Sequence, residues 1–344
     1  MSKPRLPGEG AEPLRDLPEE ARARLKRRPQ PEWMPPMLAT LTERRFSDPG
    51  WIFERKLDGE RCLAFRRGPR TRLLSRNQLS ANDSYPEVVA ALAGQRAEDF
   101  VVDGEVVAFE GAQTSFARLQ RRMKVRDPEI ALRSGVRVFY YVFDVLFVDG
   151  YLTTDLELRD RKGLLRRLLE FRDPLRLTVH RNTQGEAFWR DACRKGWEGV
   201  IAKRADGPYE HRRSANWLKF KCVNEQEFVV GGYTDPKGSR KGFGALLVGH
   251  YEGSDLVYAG KVGTGFNDEL IAALSRQLAS LEQDEPPFAG VPLPRKGVHW
   301  VRPRLVCQVG FTEWTPNGHL RHPRYQGLRR DKDPREVVRE RPNR

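Results

Sequence analysis

Cysteine is scarce and scattered: Cys62, Cys193, Cys222 and Cys307 are the four in a chain of 344 residues, and no Cys-x-x-Cys occurs. That spacing argues against a zinc ribbon and against a disulfide framework, and it fits a reducing cytoplasm. Long apolar runs are missing too. Nothing approaches the ~20 apolar residues of a membrane span, and the N-terminus lacks the apolar core of a signal peptide. His319 and His322 stand three apart among Pro, Gly and Arg, with no third ligand in view, and read as surface residues. No internal repeat is visible.

What the chain has in excess is positive charge. Lys+Arg number 61 against 47 Asp+Glu, a net charge of +14. The surplus is spread along the sequence rather than held in one tail, so it belongs to the faces of folded domains. It implies a polyanionic partner, nucleic acid first; a basic protein with no such partner has the same composition. Hydrophobic residues make up 39% and charged residues 31%, enough to bury cores, and the length suits two domains.

Residues 1–30, rich in Pro, Arg and Glu, read as a flexible basic extension with one short helix at Glu19 to Arg27. From residue 31 the pattern is globular. Strands are expected at Trp51 to Lys56, Arg61 to Arg67, Phe100 to Phe109, Arg137 to Val148, Trp197 to Lys203 and Asn216 to Lys221. Helices are expected at Tyr85 to Ala93, Ser115 to Met123, Arg159 to Leu169 and Glu186 to Lys195. Strands and helices without a regular β-α alternation predict an α+β domain with mainly antiparallel sheets over 31–222. Composition changes near Val223. Short strands and one helix, capped by Asn267, predict a small barrel such as an OB-fold over 223–335. An unrelated small β-sandwich fits the same pattern. Residues 336–344 form a basic C-terminal tail.

The stretch from Trp51 to Arg61 reads as a hairpin: a strand ending at Lys56, a turn at Asp58-Gly59, then a second strand. A bare Lys-x-Asp-Gly also describes an ordinary surface lysine beside a turn. A lysine nucleophile needs burial or neighbouring cations to lower its pKa, and Arg61, Lys219 and Lys221 are candidates. Attack on phosphorus needs charge neutralisation by carboxylate-held metal. Glu105 and Glu198 could supply it, or could be solvated face residues. A base needs a flat apolar partner, which Phe143 could be, unless it belongs to the core.

Taken in order, Lys56-Leu-Asp-Gly-Glu-Arg61, Ser75-Arg76-Asn77, Asp103-Gly-Glu105, Phe143-Asp144, Glu198-Gly-Val-Ile-Ala-Lys203 and Trp217-Leu-Lys219-Phe-Lys221 resemble the successive motifs of the covalent nucleotidyltransferases. Among these the sequence is similar to the ATP-dependent DNA ligases. Pro36-Met-Leu-Ala-Thr40 and the segment Arg321 to Lys332 are similar in wording to the ligase module of bacterial end-joining ligases. The resemblance covers residues 35 to 340 or so. It implies an adenylyltransferase domain joined by a hinge near residue 223 to an OB-fold β-barrel. It also implies three steps: Lys56 takes AMP from ATP, AMP passes to a DNA 5′-phosphate, and a 3′-OH displaces it.

By motif position, Glu54 would contact adenine, Arg61 the ribose, and Arg76 the AMP or the 5′-phosphate. Glu105 would serve the ribose and the metal, Phe143 would stack on adenine, and Glu198 would support metal. Arg213, Lys219 and Lys221 would hold phosphates, and Asp58 and Gly59 would shape the turn. Arg329 and Lys332, with Asp331, match a motif that approaches the pyrophosphate in the first step. The implied cofactors are ATP, carried as AMP on Lys56, and Mg²⁺ or Mn²⁺. The implied partners are nicked or broken duplex DNA and a Ku-like end-binding protein. A monomer is expected, away from any membrane, in a bacterial cytoplasm at the nucleoid. With no helical DNA-binding domain ahead of the core, the surplus charge is expected to hold DNA. RNA ligation, GTP-dependent capping, and a nucleic-acid-binding protein with a decayed first domain are the rival readings.

Overall fold

The computed structural model describes residues 12–123, 125–222, 224–236, 242–290 and 296–340. Contacts divide the chain into two compact units, one reaching Cys222 and the other beginning at Val223. The principal strands of the first are β1 (Leu38–Leu41), β2 (Trp51–Lys56), β3 (Glu60–Arg67), β4 (Arg70–Ser75), β5 (Asp99–Glu110), β6 (Val138–Val148), β7 (Leu175–Leu177), β8 (His180–Asn182), β9 (Gly199–Arg204) and β10 (Arg213–Lys221). Its longer helices are α1 (Pro86–Ala93), α2 (Leu158–Leu168) and α3 (Gly185–Arg194). A large sheet runs β6-β5-β3-β4, antiparallel, with β7 added parallel to β6. A small sheet runs β8-β2-β9-β10-β1, antiparallel except for the parallel β10–β1 pair.

Strand alternation decides what each face carries. On the small sheet Phe53, Val200, Ala202 and Phe220 turn to one side and pack on Phe188 and Ala192 of α3. Glu54, Lys56, Ile201, Lys203, Trp217, Lys219 and Lys221 therefore share the other side. On the large sheet Cys62, Ala64, Val106, Tyr140 and Val142 pack with Val88 and Leu92 of α1 and Leu164 and Leu165 of α2. Arg61, Glu105 and Phe143 take the opposite side. There Leu63, Phe65, Val101 and Phe143 share a core with Trp217 of the small sheet. The two polar faces thus look at each other across a common apolar floor.

The α+β class and the antiparallel sheets are as expected, but β2 and β3 are not a hairpin. β2 pairs with β8 and β9 in the small sheet, and β3 with β4 and β5 in the large one. Residues 57–59 turn a corner between sheets. Gly59 allows it: a Cβ there would lie 2.2 Å from the Val106 carbonyl oxygen, so only glycine passes this close to β5.

Three further expectations are corrected. Of the expected extension over 1–30, residues 1–11 lie outside the described residues, and residues 12–30 are not loose. Leu14, Leu17, Ala21 and Leu25 are buried in the core of the large sheet, and Gln30 donates to the Arg66 carbonyl (2.6 Å) and to Asp99 (2.8 Å). Only Ala21 of these lies in an α-helix, which runs Glu19–Ala23 and not to Arg27 as expected; Lys26 and Arg27 pair instead with Leu152 and Tyr151. Cys193 and Cys222 form a disulfide, with a Cα–Cα distance of 5.1 Å across 29 positions, because α3 packs on the small sheet. Residues 336–340 are held to the second unit: Val337 is buried, its carbonyl accepts from Tyr251 N at 2.7 Å, and Glu340 N donates to Gln226 at 2.9 Å.

The second unit contains β11 (Asn224–Thr234), β12 (Leu246–Glu252), β13 (Asp255–Val262), α4 (Asp268–Ala279), β14 (Val298–Phe311) and β15 (Arg324–Leu328). The sheet order is β13-β12-β11-β14, with β15 on β14. Asn267 caps α4, its side chain accepting from Leu270 N at 2.8 Å. The sheet's ends meet at one parallel bridge, Thr264 to Arg324. No ladder joins β13 to β15 among the described residues, so the expected barrel is not closed. Among the same residues, no helix is long and apolar enough to cross a membrane.

Candidate active site

Lys56 ends β2, and its ammonium meets the Glu198 carboxylate; the two side chains are 20% and 10% exposed. Glu198 stands just before β9, its carbonyl accepting from Cys222 N at 3.0 Å. Gly199 faces Lys56 on one side and Lys221 on the other. Its φ of 153° and a Cβ position 2.1 Å from the Phe220 carbonyl oxygen restrict that place to glycine. Two lysines therefore flank a strip of bare backbone. One row back, Ile201 lies between Glu54 and Lys219.

Glu54 is almost fully enclosed between Lys162 of α2 and Lys203 of β9, the latter at 2.7 Å. Burial alone would raise its pKa. The two ammonium groups outweigh that and hold the carboxyl below its ordinary range. Burial pushes Lys203 down to about 8, against the pull of Glu54. Its Nζ lies 4.3 Å from the Phe143 ring centre and 3.9 Å from that of Trp217. The carboxylate expected at adenine is thus engaged by lysines.

Phe143 sits in a β-bulge. Val142 faces Gly104 and Asp144 faces Asp103, which leaves Phe143 without an opposite residue on β5. Such an insertion re-aims a side chain, here toward Arg61 and Lys203. The Arg61 guanidinium lies 4.4 Å from the Phe143 ring centre and grips both oxygens of Asp103 at 2.5 Å. Burial lowers the Arg61 pKa, but Asp103 more than reverses this and holds it above the usual value. Tyr209 donates to the same carboxylate at 2.6 Å. Glu105, half-buried, is the ladder partner of Arg61.

The remaining candidates are less tightly grouped. The Arg76 backbone N–H donates to the Arg61 carbonyl at 3.1 Å. Arg213 begins β10, at the end far from Lys219 and Lys221, and is exposed, donating to the Ala39 carbonyl at 2.6 Å. Arg329 and Lys332 belong to the second unit. Arg329 forks onto Asp331 at 3.0 and 2.8 Å, and Lys332 reaches Glu227 at 3.1 Å. Burial raises the Asp331 pKa, and Arg329 brings it below the ordinary range.

Sequence reasoning gave no role to Asp103, Lys162 or Lys203. Each had a signal. Asp103 is two residues from Glu105 and so shares its face. Lys203 is two from Ile201. Lys162 lies on the buried stripe of α2, four after Leu158 and three before Leu165.

Two facing polar sheets with a lysine at a partly exposed end suit a nucleotide, and the comparisons give the class. The ATP dependent DNA ligase domain matches residues 36–221, and the ATP dependent DNA ligase C terminal region matches 239–332. The chain belongs to the ATP-dependent DNA ligase family. In particular, it is 38% identical over 322 residues to the multifunctional non-homologous end joining protein LigD of Pseudomonas aeruginosa, covering 91% of this chain and 37% of that one. It is 40% identical over 315 residues to the LigD DNA repair protein of Mycobacterium tuberculosis, covering 89% and 40%. The chain thus spans well under half the length of these relatives. A solved mycobacterial DNA ligase D complexed with ATP and MES is 36% identical, with a TM-score of 0.64, covering 89% of this chain and 98% of that one.

Proposed function

We propose that this chain seals 5′-phosphate/3′-OH breaks in duplex DNA at the expense of ATP, in bacterial DNA repair by end joining. The observation that carries the reading is the Lys56–Glu198 pair at the partly exposed end of the space between the sheets. An amine there can be reached by a triphosphate, while Phe143 and Arg61 offer a ring and a cation for the nucleoside deeper in. Lys56 attacks the α-phosphorus once it has lost its proton, a P–N bond forms, and pyrophosphate leaves. AMP then passes to the DNA 5′-phosphate, and attack by the 3′-OH releases it. Lys219 and Lys221 supply charge for the phosphates, as Arg76 and Arg213 do by motif. By motif alone, Arg329 and Lys332 serve the pyrophosphate.

A divalent cation, Mg²⁺ or Mn²⁺, suits the donor set. Glu105 and Glu198 offer hard carboxylate oxygens, and two carboxylates suit an ion that completes its shell with water and phosphate. When bound, it would offset charge on the phosphates. Among the described residues no group of three or more acidic, Cys or His side chains is gathered, which favours an ion shared with the nucleotide over a permanent structural one.

The end-joining role is supported by the names of the LigD relatives; a Ku-like end-binding partner and a bacterial cytoplasm, beside the nucleoid, are the corresponding partner and location. The test is incubation with labelled ATP or GTP and Mg²⁺, then with nicked duplex DNA or RNA. ATP should leave an acid-labile label on the protein, and the adduct should seal the DNA nick. Labelling by GTP only would make capping the better reading.

A further inference from the structure

The face of the large sheet that bears Glu105 and Phe143 continues along β6 away from Phe143. Tyr141, the ladder partner of Glu105, comes two residues before Phe143, and Phe139 two before that. β7 sets Arg176 beside Tyr141. Arginines gather on these rings: Arg176 lies 3.8 Å from the Phe139 ring centre and Arg137 lies 5.0 Å from it. Neither of these arginines belongs to the nucleotide motifs.

Their surroundings differ from those of a structural arginine. Arg161 and Asp144 are paired with both side chains fully buried. Arg176 is instead 35% exposed and is held in place on its ring by Asp173 (2.8 and 3.2 Å) and the Tyr141 hydroxyl (2.9 Å). Arg137 is 74% exposed and shares Asp173 at 3.0 Å. Stacked guanidinium groups keep N–H edges for an acceptor. The Phe139 ring beneath is covered, being 6% exposed, so Arg137 and Arg176 present donors there and not a ring face. Donors fit phosphates; unstacked bases would need open rings.

We infer that this track, from Tyr141 to Arg137 and Arg176, holds the sugar–phosphate backbone of the DNA strand beside the break. The inference rests on the ligase reading above. It makes the contact independent of base sequence, as sealing any break requires.

The experiment uses the full chain, a fluorescent nicked duplex and a salt series. In the double variant Arg137→Gln/Arg176→Gln, labelling of Lys56 by ATP without DNA should stay within about twofold of wild type. Affinity for the nick should fall by about tenfold, and the slope of log affinity on log salt should shrink by about 2. Asp173→Asn, which removes the competing carboxylate, should tighten binding. Unchanged affinity and slope in the double variant would overturn the track. So would a parallel loss of labelling and of melting temperature, which would mark these arginines as packing. If wild type takes no AMP from ATP while the double variant still loses DNA affinity, the ligase reading is what fails.

Discussion

At residue 54 of β2 a carboxylate is enclosed by two lysines; at residue 56 a lysine meets one carboxylate. The groups are the same, they share one face of one sheet, and they are two residues apart. The Glu54 assembly is sealed, with side-chain exposures of 2–3%, whereas Lys56 and Glu198 keep contact with solvent. A sealed pair leaves no room for a reactant and works as scaffold. A partly open one can exchange protons and partners and is available as a reagent. Depth alone separates the two.

The largest effect should come from the open pair. Lys56→Ala should lower ATP labelling by roughly 10⁴-fold or more, and Lys56→Arg should fail too, because a guanidinium stays protonated. Both should unfold in urea within about 1 kcal/mol of wild type, as expected for a partly solvated pair. A large stability loss would put Lys56 in the scaffold class. The sealed site should behave the opposite way. Glu54→Gln leaves two buried ammonium groups and should cost about 3–5 kcal/mol by urea unfolding; a cost below about 1 kcal/mol would erase the contrast.

Glu198→Gln should be intermediate: little change in stability, with labelling lower by about 10- to 100-fold if the carboxylate serves the reaction. The smallest effect is in pH. Because the folded-state pKa of Glu54 is depressed, its contribution is fully present above the unfolded value of 4.5 and is lost as pH falls through the folded value. The stability gap between wild type and Glu54→Gln should therefore hold from neutrality down to the ordinary carboxylate range and close only below it. A gap that closes near neutral pH would reverse the sign.

Much of this was legible in the sequence. Alternation put Glu54 and Lys56 together, and the order of short motifs pointed to the family before any fold was known. The misses share one cause: each depends on which distant segment lies opposite. The hairpin around Lys56 failed because nothing local tells a chain crossing between sheets from one returning along its neighbour. The Cys193–Cys222 bond and the packing of Leu14 to Leu25 are likewise decided by partners far along the chain. Lys162 was hidden because a lysine on an apolar stripe reads as a long stem reaching water, until a buried carboxylate is found to meet it.

The corner at Gly59 has a consequence for insertions and deletions. Residues 57–60 are the whole link between Lys56 on one sheet and Arg61 on the other. Side chains alternate on both strands, so removing one residue from this link would turn Arg61 into the outer core and bring Cys62 to face the pocket. Within the link Gly59 is fixed by its close approach to β5, and Glu60 by burial and by its carboxylate accepting from the Tyr85 hydroxyl at 2.6 Å. Its length is fixed as well: the spacing between the amine and the arginine is measured out in peptide units, and a single-codon change there should be harsher than most substitutions on either strand.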